Sequence, residues 1–354
     1  MTAVHWDNET RADLETLPDS SCPHCTQVTT HGASLCEACG GTLTLPTTIG
    51  TSTLETHHTL WAVLSGRGYS LSAQPHLVKG LALTSEASPA GSVALPSHDV
   101  GVCCRNHLAV TRWELGRADD AAQHARRALE LAVRVDRPLT YATALYVAAW
   151  VHYHRGDHDV VERLARTLTA HALEFGLDRS WEIDGRVLLL SGRRRGRRRD
   201  EELAALEPDI VSEPSGRSAW RDAFMRCLLA RAYLRAGRPS RALETLSRLP
   251  SRITNGNYAP EVHRLSGEAL VAVGAPSEHA EVSFRNAIWL ARPRQVVAFE
   301  LRARISLALL LARRGEGDAA SAMLRRIYVL FAEGFETADL RRAQQVLQSL
   351  RQSA

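Results

Sequence analysis

From about residue 58 onward, apolar and small residues recur at every third or fourth position, in stretches that end at a glycine or a short polar turn. That period places the apolar positions on one face of an α-helix. Residues 44–57, TLPTTIGTSTLETH, show no such period. They are rich in Thr, carry one Pro and one Gly, and read as a flexible linker. The pattern predicts an all-α region over 58–354.

Aligning the stretches on their turn glycines reveals a repeat. Gly116 is followed by Ala121, Ala125 and Ala128; Gly237 by Ala242, Leu246 and Leu249; Gly315 by Ala320, Leu324 and Ile327. Seven residues before these glycines stand Ala109, Ala230 and Ala308. Small residues there let paired helices approach, while glycine permits a left-handed turn between them. Weaker copies follow Gly156, Gly192 and Gly274, with Ala149, Gly185 and Gly267 seven residues earlier, and a truncated one has Gly68, Ala73 and Leu77. From Gly116 onward the glycines lie 40, 36, 45, 37 and 41 residues apart. This is the period of helix-turn-helix repeats of the tetratricopeptide kind, stacked into a superhelix. Six fuller repeats follow a degenerate first one, and a closing helix is expected near 337–351. Such arrays ordinarily unfold in a spread manner, because each repeat contacts only its neighbours.

Upstream of the linker, CPHC at 22–25 and CEAC at 36–39 form two C-x2-C knuckles. Cys22, Cys25, Cys36 and Cys39 place four thiolates around one point, which satisfies Zn2+ in tetrahedral geometry. Full protein ligation leaves no position for water or substrate, so the predicted metal is structural. A ribbon over 21–43 is too small to fold unaided, and zinc binding of roughly 10–16 kcal/mol would stabilise it. His24 and His31 are expected to be exposed bystanders. Residues 1–20 read as a disordered tail. They have neither the basic start nor the apolar core of a signal peptide. With no long apolar run anywhere, a cytoplasmic protein without a membrane segment is expected.

The formal net charge is +4, yet six arginines crowd into RRRGRRR at 193–199; without them the balance turns negative. Arg193, Arg194, Arg195, Arg197, Arg198 and Arg199 read as a solvated loop, with a contact to an anion or a weak, salt-sensitive one to nucleic acid as the functional alternative. The sequence VHYHRGDHD at 151–159 gathers three histidines, but Gly156 breaks the helix between His154 and His158, so a surface turn is expected. Cys103, Cys104 and Cys227 fall among small packing positions and read as core thiols.

The stretches GVCCRNHLAVTRWELGRADDAAQHARRALELA, ATALYVAAWVHYHRGD and FAEGFETADLRRAQQVL resemble the C-terminal repeat region of bacterial adenylate/guanylate cyclases fused to a predicted signalling ATPase. The ribbon is similar to one at the N-terminus of that family. The resemblance covers about 21–41 and 68–351, and it implies a regulatory repeat module. Here only a linker stands where the family carries its cyclase and ATPase domains. A phosphate-binding loop needs G-x4-G-K-[ST], and the single lysine, Lys79, lies in no such loop. No catalytic residue is assigned.

Counting from the small residue of each first helix, Asn106, Trp113, Tyr146, Trp150, Tyr153, Arg231, Arg235 and Arg264 are predicted to face the concave groove; Trp113 and Trp150 also suit the core. Aromatics early and arginines later would suit a peptide with an apolar and an acidic part. The sequence thus points to a non-enzymatic interaction scaffold in bacterial signalling, with another protein or peptide in its groove and a structural zinc. A nucleic-acid-associated transcriptional regulator using the ribbon and the arginine loop is the alternative, and a remnant or subunit of a cyclase/ATPase system a second. The sequence does not set an oligomeric state.

Overall fold

The computed structural model describes residues 57, 60–61, 63–65, 69–86, 99–192, 197–211, 218–249 and 256–352. All belong to the unit His57–Ala354. The predicted tail, the ribbon with Cys22, Cys25, Cys36 and Cys39, nearly all of the linker, and Arg193, Arg194 and Arg195 lie outside the described residues. Arg197, Arg198 and Arg199 open a helix, with their side chains outside the description.

Among the described residues fifteen bounded helices follow one another from Ser70 onward, with no strand. Helix α1 spans Ser70–Glu86. Six pairs come next: α2 (Val100–Glu114) with α3 (Ala118–Val135), α4 (Pro138–Arg155) with α5 (His158–Glu174), and α6 (Arg179–Gly192) with α7 (Arg197–Ala205) and the short α8 (Glu207–Val211). Then α9 (Ala219–Arg235) pairs with α10 (Pro239–Ser247), α11 (Ala259–Ala272) with α12 (Ser277–Arg294), and α13 (Val297–Arg313) with α14 (Gly317–Tyr328). Helix α15 (Ala338–Gln352) closes the array close to its expected place.

The local chemistry explains these boundaries. Pro138 and Pro239 stand at the first positions of α4 and α10, where no amide donor is needed. Asp119 and Asp120 lie in the first turn of α3, beside its unpaired amides. The second helices carry narrow apolar stripes, and in α3 Ala121, Ala125, Ala128 and Ala132 are all fully buried. Ala109, Ala230 and Ala308 on the facing first helices are equally buried, as the small-residue spacing predicted. The approach is closest at Gly185, where an added Cβ would run into Oγ1 of Thr169, and at Gly267, where it would sit 2.5 Å from Cε1 of Phe284.

Two expectations need correction. Gly192 is not a turn residue. It ends α6, buried against Val161, where an added Cβ would lie 3.0 Å from that side chain. Nor do repeats touch only their neighbours: α13 packs on α2, and α15 on α4. The superhelix turns far enough within six pairs to bring its last repeat back to its first.

Residues 331–340, FAEGFETADL, make that closure. Phe331 lies on Gly116, which adopts φ +82° and has no room for a side chain. The residue before α3, Arg117, offers no side-chain cap. Glu333 supplies one from the far end of the chain, accepting the amides of Asp119 at 2.9 Å and Asp120 at 3.0 Å. In return Gly334 N–H donates to Asp119 Oδ2 at 2.9 Å, and Arg155 Nη1 holds Asp119 Oδ1 at 2.6 Å. Arg302 Nε reaches Asp339 Oδ2 at 2.6 Å.

Candidate functional site

The first helices of the pairs line the inside of the superhelix, and their large side chains meet at its middle. Trp113 from α2, Trp150 and His154 from α4, Phe224 from α9, Tyr258 just before α11, and Phe299 from α13 form one buried aromatic cluster. Trp113 stands edge-on to Trp150 at 5.0 Å and to Phe299 at 5.1 Å, and stacks on His154 at 4.2 Å. Such edge-to-face pairs add stabilisation beyond their area. Trp113 and Trp150, predicted for the groove or the core, thus lie in a plug across the channel.

His154 corrects the expectation of a surface turn at 151–159. It is buried, and burial, with Arg302, Arg231 and Arg264 nearby, holds its imidazole well below the ordinary histidine range. It is therefore neutral. Trp150 Nε1–H donates to the Tyr258 hydroxyl, which is 3.1 Å from His154 Nε2. A neutral ring that receives the Tyr258 proton at Nε2 carries its own proton on Nδ1. Only the polar end of the motif is a turn, where His152 Nδ1 meets Asp157 at 2.8 Å. Among the described residues no group of three His, Cys, Asp or Glu is placed to hold a metal ion.

On one side of the plug lies a cavity of about 530 Å³, within the range of sites for small organic ligands. Its wall comes from the segment before α1 (Trp61, Ser65), from α2, α4, α6 and α9, and from the 256–258 segment ahead of α11. Trp61, Tyr146, Trp181, Trp220 and Tyr258 give it an aromatic lining, and Leu139 at its margin is exposed. Along α2 the positions Cys103, Asn106, Val110 and Glu114 face it at helical spacing.

The polar groups of this wall differ in how they are matched. Arg221 is ion-paired with the buried Asp184 at 2.7 Å, and its guanidinium lies 3.6 Å from the Trp181 ring centroid. Asp99 caps α2 by accepting Val102 N–H at 2.8 Å. Asn106 is 2% exposed, and neither its side-chain oxygen nor its nitrogen has a partner. Glu114 is fully buried. It accepts a hydrogen bond from Ser70 Oγ, and one from Asn257 Nδ2 at 3.1 Å. Burial pushes its carboxyl up to about 7, although both hydrogen bonds pull the other way.

The predicted arginines gather elsewhere. Arg264 chelates Glu261 at 2.7 and 2.8 Å and also meets Glu268; Arg231 lies 3.9 Å and Arg302 3.6 Å from Glu261. Burial alone would raise Glu261, but Arg264 first, then Arg302 and Arg231, hold it at about 2. Arg231 also faces the Tyr153 ring at 5.8 Å, and Arg235 pairs with Asp200 at 3.2 Å. The eight groove residues therefore separate: Asn106 and Tyr146 in the cavity, Trp113 and Trp150 in the plug, and Tyr153, Arg231, Arg235 and Arg264 among internal ion pairs and rings. The arginine charge is already matched within the chain.

Sequence reasoning missed Glu114, Asn257, Trp61, Trp181 and Trp220. Glu114 carried a usable signal, standing two helical turns after Asn106 on the same inner face. The others had none, because they enter the cavity from elements whose mutual placement no local period encodes. Of the other cysteines, Cys104 and Cys227 are core thiols as expected, whereas Cys103 is half-buried at the cavity wall. Burial pushes the Cys104 thiol up to about 12.

No helix among the described residues is long and apolar enough to cross a membrane. No curated protein matches the chain. Among solved structures, a Rap protein complexed with the competence and sporulation factor superposes with a TM-score of 0.48 at 12% identity, covering 85% of this chain and 99% of that one. The TPR2AB-domain:pHSP90 complex of yeast Sti1 gives 0.27 at 15% identity, covering 71% and 98%. A family model for the tetratricopeptide repeat matches residues 104–127, 142–167, 226–248 and 301–326. These segments fall on α2–α3, α4–α5, α9–α10 and α13–α14, so the helix pairs of this superhelix include four recognisable tetratricopeptide repeats.

Proposed function

We propose that the chain is a non-enzymatic interaction scaffold that takes a segment of a partner protein or peptide into its channel, up to the aromatic plug. The observation that carries this reading is the 530 Å³ aromatic-lined cavity on the inner face of the repeats, with Asn106 buried in its wall and unbonded. Interiors are otherwise close-packed, and a buried amide without partners costs about 1–3 kcal/mol. A ligand that fills the space and bonds Asn106 would recover both. The Rap structure is a complex with the competence and sporulation factor, and the Sti1 structure is a TPR2AB-domain:pHSP90 complex; at such low similarity they add no weight. A regulatory role in bacterial signalling, the relation to cyclase–ATPase proteins and a structural zinc on Cys22, Cys25, Cys36 and Cys39 are parts of the same proposal.

Selection of a random peptide library on the full chain tests it. Selected peptides should bind the wild type, and Thr143→Trp, which fills the cavity from its margin, should abolish binding while the far-UV spectrum stays helical. Peptides that bind both forms equally would refute the assignment of the cavity.

A further inference from the structure

Six carboxylates are deeply buried among the described residues: Glu114, Asp184, Asp200, Asp222, Glu261 and Glu300. Five of them meet an arginine. Asp184 pairs with Arg221, Asp200 with Arg235, Asp222 with Arg226, Glu261 with Arg264, and Glu300 with Arg304, all within 3.2 Å. Glu114 has only the neutral donors of Ser70 and Asn257. It is also the one of the six that lines the cavity. Among the described residues the buried carboxylates are balanced by guanidinium groups, except the one that lines the cavity.

The neighbours of Glu114 ask for a donor as well. Asn257 spends its Nδ2 on Glu114, and its Oδ1 is buried without a partner. A group carrying several N–H donors could bond that oxygen and the carboxylate together. About 12 Å away along α2, at 1.5 Å per residue, the unbonded Asn106 marks the other end of the wall. Val110, Tyr146 and Trp220 line the cavity as well and offer apolar and aromatic surface. Aromatic faces favour a cation as much as they favour a ring. An anion would find no unmatched positive group, since Arg221 is held by Asp184.

We propose that the Glu114 end of the cavity binds a primary ammonium or guanidinium group, carried by a ligand whose apolar body lies along the aromatic wall toward Asn106. The inference rests on the channel being the partner-binding site, and it names the chemistry of what enters. The cationic group can come from a basic side chain or terminal amine of a peptide, or from a free arylalkyl amine. Burial that leaves the Glu114 carboxyl near 7 agrees with a site whose counter-charge arrives with the ligand.

The test uses the full chain, titration calorimetry and tryptophan fluorescence. Three isosteric probes are compared, 4-phenylbutylammonium, 4-phenylbutanol and 4-phenylbutyrate, with two peptides, acetyl-Phe-Ala-Lys-amide and acetyl-Phe-Ala-norleucine-amide. The ammonium should bind at least about tenfold tighter than the alcohol, as a charge-assisted hydrogen bond implies, and the carboxylate weakest. Glu114→Gln should bring the ammonium-to-alcohol ratio close to one. A lysine peptide preferred by the same factor identifies a peptide source, and a preference confined to the free amine identifies a small-molecule one; either supports the assignment. Equal binding of ammonium and alcohol by the wild type overturns it, whether or not the Gln variant folds. So does failure of all five probes. Peptide selection judges the scaffold reading separately, so failure of that reading and failure of the cation preference are distinguishable.

Discussion

Replacing Glu114 by Gln should make the protein more stable at pH 8 and change little at acid pH. The fold raises this carboxyl from 4.5 to about 7. Below pH 4.5 the group is protonated in both folded and unfolded chains and costs nothing. Between 4.5 and 7 the unfolded chain ionises while the folded one does not, so stability falls as pH rises. Above 7 the buried site is ionised and the full cost, about 3 kcal/mol at 1.36 kcal/mol per decade, is present. Glutamine is isosteric, can still accept the Ser70 hydroxyl, and never ionises. Between pH 5 and pH 8 the stability difference between variant and wild type should therefore grow by about 2–3 kcal/mol. At about 2 °C per kcal/mol for a chain of this size, that is a divergence of about 5 °C in Tm. Thermal and urea unfolding followed at 222 nm at both pH values measure it. Other titrating groups, such as His154 and Glu261, are common to both proteins and cancel in the comparison. A difference that stays constant from pH 5 to pH 8 would refute the reasoning, because it would mean that Glu114 ionises in the fold as it does in water.

Asp119→Ala removes the acceptor of Gly334 N–H and a partner of Arg155; it should cost about 1–2 kcal/mol and broaden urea unfolding as the first and last repeats uncouple, whereas an unchanged transition would show that the closure contributes nothing. Gly267→Ala drives a methyl into the buried Phe284 ring, and should cost about 1–3 kcal/mol in urea denaturation, against a few tenths if the ring can step aside. Purified protein should carry one zinc per chain by elemental analysis, and Cys36→Ser should release it with helical circular dichroism intact; zinc retained by Cys22→Ser/Cys36→Ser would remove the ribbon assignment.

Much of the scaffold was legible along the chain. The period of three to four residues, the alanines at fixed offsets from Gly116, Gly237 and Gly315, and the small residue seven positions earlier are local devices. Each acts within one helix or between two consecutive ones, so the sequence alone determines that helix pairs form and pack closely. Gly192 shows the limit even there: the same residue type serves a turn or a close approach, and only the packing of α6 against Val161 decides which. What the tertiary structure decided depends on rotation accumulated over many repeats. That rotation brings FAEGFETADL back onto Gly116 and Asp119, assembles Trp113, His154, Tyr258 and Phe299 into one plug, and leaves Glu114 facing Asn257 from 143 residues away. A small change in the angle between successive pairs, multiplied along the array, would separate all these groups. No period read within one repeat records that angle, because it is set by how whole helix faces settle against one another.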